Sequence, residues 1–250
     1  MSFEVAIRQL GGFALYLNWL DLQLGRGETV ADTAMVLSRY VDGIVARVLS
    51  HKTLDELARY SSVPVINGLS DLSHPVQIMA DLMTIWEKKG RLEGLRLAYI
   101  GDGNNVCNSL LIGCSKIGLN IVVACPLGYE PKPEFVRNAK MNAEISGSTV
   151  DIVRSAKQAV LNADIIYTDV FVSMGQESER DERLRTFLPE YQVNSELLSS
   201  APKAIFMHPL PCRRGEEVTA EVIDGPQSVV WNQAENRLHT TKSLLALLLH

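Results

Sequence analysis

The chain has 250 residues, of which 46% are hydrophobic and 21% charged, a globular composition with length for one large domain or two modest ones. Its net charge is −5 and no Lys/Arg block stands out, which argues against nucleic acid as a partner. The cysteines Cys107, Cys114, Cys125 and Cys212 form no CxxC pair and have no His cluster beside them, which argues against a zinc site or a disulfide framework.

The first twelve residues lack the basic and apolar regions of a signal peptide. Thr29 opens a helix expected through Tyr40, and an apolar strand is expected over residues 43–48. Thr53 with Glu56 has the spacing of a capping box for the next helix. A strand over 63–66 is followed by a helix from Pro75 to Lys89 in which Ile78, Leu82 and Ile85 share a face. Strands then follow at 95–100, 120–124, 164–168, 204–207 and 228–231, with helices expected at 106–117, 133–145 and 155–161. The last helix, 234–249, is expected to turn Leu238, Leu245 and Leu248 inward, and its apolar run 244–249 is far too short to span a bilayer. A cytoplasmic protein with no membrane partner is expected.

Strand and helix alternation implies an α/β fold with parallel sheets covered on both faces. The long helix after Pro75 is expected to bridge two α/β domains with a cleft between them. The expected division is 1–77, to which the helix 234–250 returns, and 78–233. Ligands in such folds lie beyond the carboxyl ends of the strands, so those ends carry the functional reading.

Arg47 ends the first strand in an apolar, small-residue run, where burying it without an anion is costly; an ion pair with the fold is the alternative. After the second strand, Ser73 is a candidate N-cap and Pro75 a first helical residue. His74 and Gln77 then stand three apart at a helix N-terminus, where they could polarise a carbonyl oxygen and hold its amide nitrogen; a capping cluster without ligand is the plainer reading. Gly101-Asp102-Gly103-Asn104-Asn105 lacks the third glycine of a dinucleotide loop, and its adjacent asparagines suit a carboxylate instead. Asp169 can receive an ammonium, with Ser173, Met174 and Gly175 forming a turn for the rest of an amino acid. In His208-Pro209-Leu210-Pro211 the two prolines leave carbonyls without helical partners, which makes them acceptors for an –NH₂ group.

Together VARVLSH, HPVQ, GDGNN, TDVFVSMGQE, HPLP, RGEEV and QAENR resemble the ornithine carbamoyltransferases from Ser2 to the C-terminus, with the SMG loop and QAENR marking the ornithine branch. The resemblance implies attack by the δ-amine of ornithine on carbamoyl phosphate, giving citrulline and phosphate, in arginine biosynthesis or its reverse. No cofactor and no metal are implied. It assigns Arg47 to the phosphate and carbonyl oxygen, His74 to that oxygen, and Gln77 to the carbamoyl amine. Leu210, through its carbonyl, and Arg237 complete that pocket. Gln23 lies in a stretch that reaches a neighbouring subunit's site, so a homotrimer or higher homo-oligomer is implied. Asn105, Asp169, Ser173 and Met174 are assigned to ornithine.

Two departures from the family pattern stand out. The family's Ser-x-Arg-Thr-Arg phosphate loop precedes Ser-Phe-Glu, whereas Ser2-Phe3-Glu4 here follows Met1, so weak carbamoyl phosphate binding and impaired activity are expected of the 250 residues alone. The family's His-Cys-Leu-Pro is replaced by His208-Pro209-Leu210-Pro211, the version of the aspartate enzymes. Competing readings are a carbamoyltransferase for putrescine or an acylated ornithine, and a non-catalytic amino-acid-binding paralogue. Turnover with ornithine separates these from the leading one.

Overall fold

The computed structural model describes residues 1–18, 27–173 and 175–249 and divides into two compact units, Met1–Val76 with Arg237–His250, and Gln77–Asn236. In the first unit the elements run α1 (Ser2–Gln9), α2 (Val30–Leu37), β1 (Ile44–Arg47), α3 (His51–Tyr60) and β2 (Val65–Leu69). Helix α4 (Pro75–Lys89) carries the chain onward. The second unit holds β3 (Arg96–Ile100), α5 (Asn105–Lys116), β4 (Asn120–Ala124), α6 (Pro133–Ser146), β5 (Val150–Val153), α7 (Ala156–Val160) and β6 (Ile165–Thr168). A 3₁₀ turn at Glu177–Glu179 leads to α8 (Arg180–Phe187), α9 (Ser195–Ser199), β7 (Ile205–Met207) and α10 (Ala220–Ile223). Helix α11 (Val230–Leu248) ends the chain.

In the first unit β1 and β2 pair in parallel. The register slips between Ala46, opposite Asn67, and Arg47, opposite Leu69, so Gly68 is the extra residue of a bulge. A Cβ on Gly68 would come 3.2 Å from the Ala46 carbonyl oxygen, which suits a glycine there. The end of α11 belongs to this unit, where Leu245 is buried with Ala6, Ile66 and Val76. Leu238 packs beside them, but Leu248 is 40% exposed, and Leu244 and Leu249 take the place expected of it. At 3.6 residues per turn Leu248 sits off the stripe that Leu238 and Leu245 define.

The capping box expected from Thr53 and Glu56 does not form, because α3 begins earlier, at His51 after Ser50. Its first N–H donates to Asp71 Oδ1 at 2.8 Å, so a carboxylate from the loop after β2 serves this helix end. At α2 the expected start holds, Thr29 Oγ1 accepting the Asp32 N–H at 3.0 Å, but the helix ends at Leu37 rather than Tyr40.

The second unit has one parallel sheet in the order β5-β4-β3-β6-β7. Successive residues of its strands enter opposite cores. Ala98, Ile100, Val122, Ile166 and Phe206 lie on one face and Leu97, Tyr99, Ile121, Ile165 and Tyr167 on the other. Both faces are therefore covered, the arrangement that turns parallel strands into continuous apolar runs. Each fully buried Leu or Ile stabilises the unit by about 1.5–3 kcal/mol. Strand β5 escaped the sequence reading because it is four residues long with a part-buried pattern. Residues 228–231, expected as a strand, make an isolated bridge from Ser228 to Phe206 and enter α11 at Val230. There the β-branched Val229 and Val230 are buried in the tertiary core, which overrides their preference for strand.

Candidate active site

In the second unit the strand order supplies a site without reference to any side chain. From β3 the chain moves outward to β4 and β5, and from β6 outward to β7 on the other side. The order reverses between β3 and β6, and the crevice beyond the carboxyl ends at such a point is where α/β sheets bind ligands. The segments that follow these two strands are Gly101–Asn105 and Asp169–Ser173.

Gly103 packs so closely that a Cβ would lie 2.1 Å from the Pro131 nitrogen, so only glycine allows the loop to take this path. Asp102 is anchored by the buried Arg183, Oδ2 to Nη1 2.9 Å, and Arg183 also donates to the Phe171 carbonyl at 3.1 Å. Asn104 Oδ1 accepts from the N–H groups of Val106 and Cys107 at 3.0 and 3.1 Å, capping α5. Its Nδ2 donates to Asp169 Oδ2 at 2.8 Å. The expectation that both asparagines serve a ligand carboxylate is thereby corrected, since Asn104 is engaged by the helix end and by Asp169. Asn105 is the first residue of α5, half-buried, with Oδ1 accepting the Val106 N–H at 2.9 Å.

Asp169 is buried, and that burial pushes its carboxyl above the usual carboxylate range; His208, the Asn104 amide and the Val170 N–H oppose the shift. Its Oδ1 accepts that N–H at 2.8 Å. Among the described residues no Lys or Arg forms an ion pair with it. Ser173 is half-buried in a turn closed in both directions with Gln176, whose Oε1 accepts the Ser173 N–H at 3.0 Å and whose N–H donates to the Ser173 carbonyl at 3.0 Å. Beyond β7, the Leu210 N–H donates to His208 Nδ1 at 2.9 Å, and His208 Nε2 lies 3.1 Å from Glu217 Oε1, both side chains fully buried. Glu217 Oε1 also accepts the Arg213 N–H at 2.6 Å. Leu210 has φ +54°, a left-handed conformation costly for a branched side chain, and its N–H is tied to His208 Nδ1.

In the first unit, Arg47 ends β1 at the bulge and is exposed, so the burial argument for an anion does not apply to it. Nor does it ion-pair with the fold among the described residues. The loop before His74 is tied internally: Ser70 donates its N–H to the Ser73 carbonyl at 3.0 Å, and Asn67 Nδ2 donates to Ser73 Oγ at 2.9 Å. His74 itself is pushed down from 6.5 to about 3, first by burial and then by the charges of Arg237 and Arg47. A neutral imidazole offers an N–H to a developing oxyanion without giving up a proton.

We expect His74 to remain neutral from pH 5 to 8, which NMR titration of its ring would show as an invariant C2–H shift. An inflection near 6.5 would contradict the burial and charge account. The sign for stability follows: the unfolded chain takes up the proton first, so His74 costs stability as pH falls from about 6.5 towards 3 and costs none above.

Gln77 is buried, its Nε2 donating to Asp81 Oδ1 at 2.9 Å. Gln23 and Met174 lie outside the described residues. Asp81, Glu217 and Gln233 were missed as site residues, although Glu217 lies in RGEEV and Gln233 in QAENR. Among the described residues no cluster of three or more His, Cys, Asp or Glu could hold a metal, and no helix is long and apolar enough to cross a membrane.

Residues 1–87 match the family described as aspartate/ornithine carbamoyltransferase, carbamoyl-P binding domain, and residues 93–248 match its Asp/Orn binding domain. The ornithine carbamoyltransferase of Thermococcus kodakarensis is 60% identical over 250 residues, all of this chain and 79% of that protein. The Bacillus subtilis enzyme of the same name is 57% identical over 251 residues, covering all of this chain and 78% of that one. The solved structure of ornithine carbamoyltransferase from Pyrococcus furiosus superposes with a TM-score of 0.96 at 58% identity, covering 99% of this chain and 79% of that one. These matches run through both units and every motif described above, and the chain belongs to the aspartate/ornithine carbamoyltransferase family.

Proposed function

We propose that this protein transfers the carbamoyl group of carbamoyl phosphate to the δ-amine of L-ornithine, releasing L-citrulline and phosphate. The nitrogen lone pair forms a bond to the carbonyl carbon, the carbon–oxygen bond to phosphate breaks with its electron pair leaving on phosphate, and the proton that the amine nitrogen loses passes to the departing phosphate. One observation carries the reading: burial and the charges of Arg237 and Arg47 hold the His74 imidazole in its neutral form, the form that donates to a carbonyl oxygen gaining charge beside a phosphate. In this reading Arg47 bridges phosphate and carbonyl oxygen, His74 donates to that oxygen, and Arg237 steadies it. Gln77 and the Leu210 carbonyl accept from the carbamoyl amine.

Asp169 receives the substrate's ammonium, for which its buried, hydrogen-bonded carboxylate is prepared, with Asn105, Ser173 and Met174 holding the remaining polar atoms. The identity of about 60% with named ornithine carbamoyltransferases supports ornithine as acceptor. Gln23 belongs to a segment serving a neighbouring subunit's site, and the protein works as a homotrimer or higher homo-oligomer in the cytoplasm, in arginine biosynthesis or the reverse direction.

The test is citrulline formation from carbamoyl phosphate and ornithine by the protein as its gene encodes it. Citrulline and phosphate in equal amounts are expected. Phosphate release without citrulline, or preference for putrescine over ornithine, would sink the reading.

A further inference from the structure

A buried run of hydrogen bonds within the second unit joins the two groups assigned to the carbamoyl amine. At one end Gln77 Nε2 donates to Asp81 Oδ1 at 2.9 Å, and Gln233 Nε2 donates to the same oxygen at 2.7 Å. Tyr167 donates its hydroxyl to Asp81 Oδ2 at 2.9 Å and receives Gln233 Nε2 at 3.1 Å. Onward from Gln233, Oε1 accepts the His208 N–H at 2.9 Å, and His208 Nδ1 accepts the Leu210 N–H at 2.9 Å. Asp81, Tyr167 and His208 are fully buried, and Gln77 and Gln233 are 3% and 1% exposed.

The polarity of this run follows from its centre. A carboxylate has only acceptors, so each amide that meets it must turn its –NH₂ inward and its oxygen outward. For Gln233 the outward oxygen meets the His208 N–H, which sets the backbone that carries the Leu210 carbonyl. For Gln77 the outward oxygen is an acceptor directed away from Asp81. Without a carboxylate at this position either amide could reverse, and Gln77 would then present a donor. A buried site that offers acceptors discriminates strongly against a ligand lacking the matching N–H groups, because those acceptors are left unpaired.

We propose that Asp81 is the positioning residue that makes the carbamoyl site selective for an –NH₂ group, by fixing the orientation of the Gln77 amide and, through Gln233 and His208, of the Leu210 carbonyl. The proposal rests on the reading of Gln77 and Leu210 given above. It assigns Tyr167 a smaller part, as a donor that keeps the Asp81 carboxylate in place.

The experiment compares carbamoyl phosphate with acetyl phosphate, in which a methyl group replaces the amine. The apparent KM for carbamoyl phosphate and the inhibition constant of acetyl phosphate are measured for the wild type, Asp81→Asn, Tyr167→Phe and Gln77→Leu. Asp81→Asn is expected to lower kcat/KM for carbamoyl phosphate by about 10- to 100-fold while moving the acetyl phosphate constant less than about twofold. Tyr167→Phe shifts the ratio the same way by about threefold. A lower Tm with an unchanged ratio in Asp81→Asn would overturn the proposal and leave Asp81 as packing alone. Should Asp81→Asn fail to fold, Tyr167→Phe decides: a shifted ratio supports the proposal and an unshifted one overturns it. Absence of citrulline formation by the wild type, or an unshifted ratio in Gln77→Leu, would instead overturn the underlying reading of the site. A shifted ratio in Gln77→Leu with none in the other two variants overturns the Asp81 proposal alone.

Discussion

Arg47→Ala is expected to lower kcat/KM for carbamoyl phosphate by about 10²–10³-fold, the loss that follows removal of one fixed donor from a developing oxyanion. The side chain is exposed at the end of β1, so its removal should leave Tm within a degree or two, as surface substitutions within about 0.5 kcal/mol do. Activity and stability therefore separate, which a structural role for Arg47 would not allow. A second readout comes from His74. Losing the Arg47 charge should raise the imidazole above its present value of about 3. Burial is the larger cause of that depression, so the ring should still titrate below 6.5. Steady-state kinetics with thermal unfolding checks the first claim and NMR titration the second. Activity within a few-fold of wild type would remove Arg47 from the site.

Asp169→Asn should have a comparable effect on the other substrate. With the carboxylate gone, an ornithine ammonium loses its buried counter-charge, and kcat/KM for ornithine should fall by about 10²–10³-fold, corresponding to the cost of breaking a buried charge pair. The KM for carbamoyl phosphate should not move. The fold responds too. Asp169 accepts from two donors, the Val170 N–H and Asn104 Nδ2, whereas an asparagine supplies one acceptor oxygen, so about 1 kcal/mol should be lost.

That loss depends on pH in a definite direction. The Asp169 carboxyl is raised above its ordinary 3.8 in the folded protein, so its contribution is present below 3.8 and declines as pH climbs through the carboxylate range. Asparagine does not titrate, and the stability gap between wild type and variant should therefore narrow from pH 4 upward. A gap that widened would mean that the folded carboxyl is depressed rather than raised. An unchanged KM and kcat for ornithine would show that the ammonium is held elsewhere.

The strand ends were legible because buried parallel strands are written as apolar runs, and polar sequence just beyond them has no packing reason to be there. That rule brings Arg47, His74, Asn105, Asp169 and Leu210 forward from the sequence alone. It also misjudged particular residues. Arg47 sits among apolar neighbours in sequence, yet alternation along β1 and the bulge at Gly68 leave it exposed. Asn104 looks equivalent to Asn105, but one position of helical phase makes it the cap of α5 and a donor to Asp169.

Sequence by itself determined the fold class, the positions of most strands and helices, and the motifs that carry the family. These depend on local periodicity, on Pro and Gly positions, and on residue types at strand ends. Tertiary structure alone decided the strand order that puts Gly101–Asn105 beside Asp169, the depressed basicity of His74, and the union of Asp81, Tyr167, His208 and Gln233 in one network. Asp81 and Gln233 are 152 residues apart in the chain. Hydrogen-bond partners and desolvation are properties of what surrounds a group in space, and neither is encoded in its sequence neighbours.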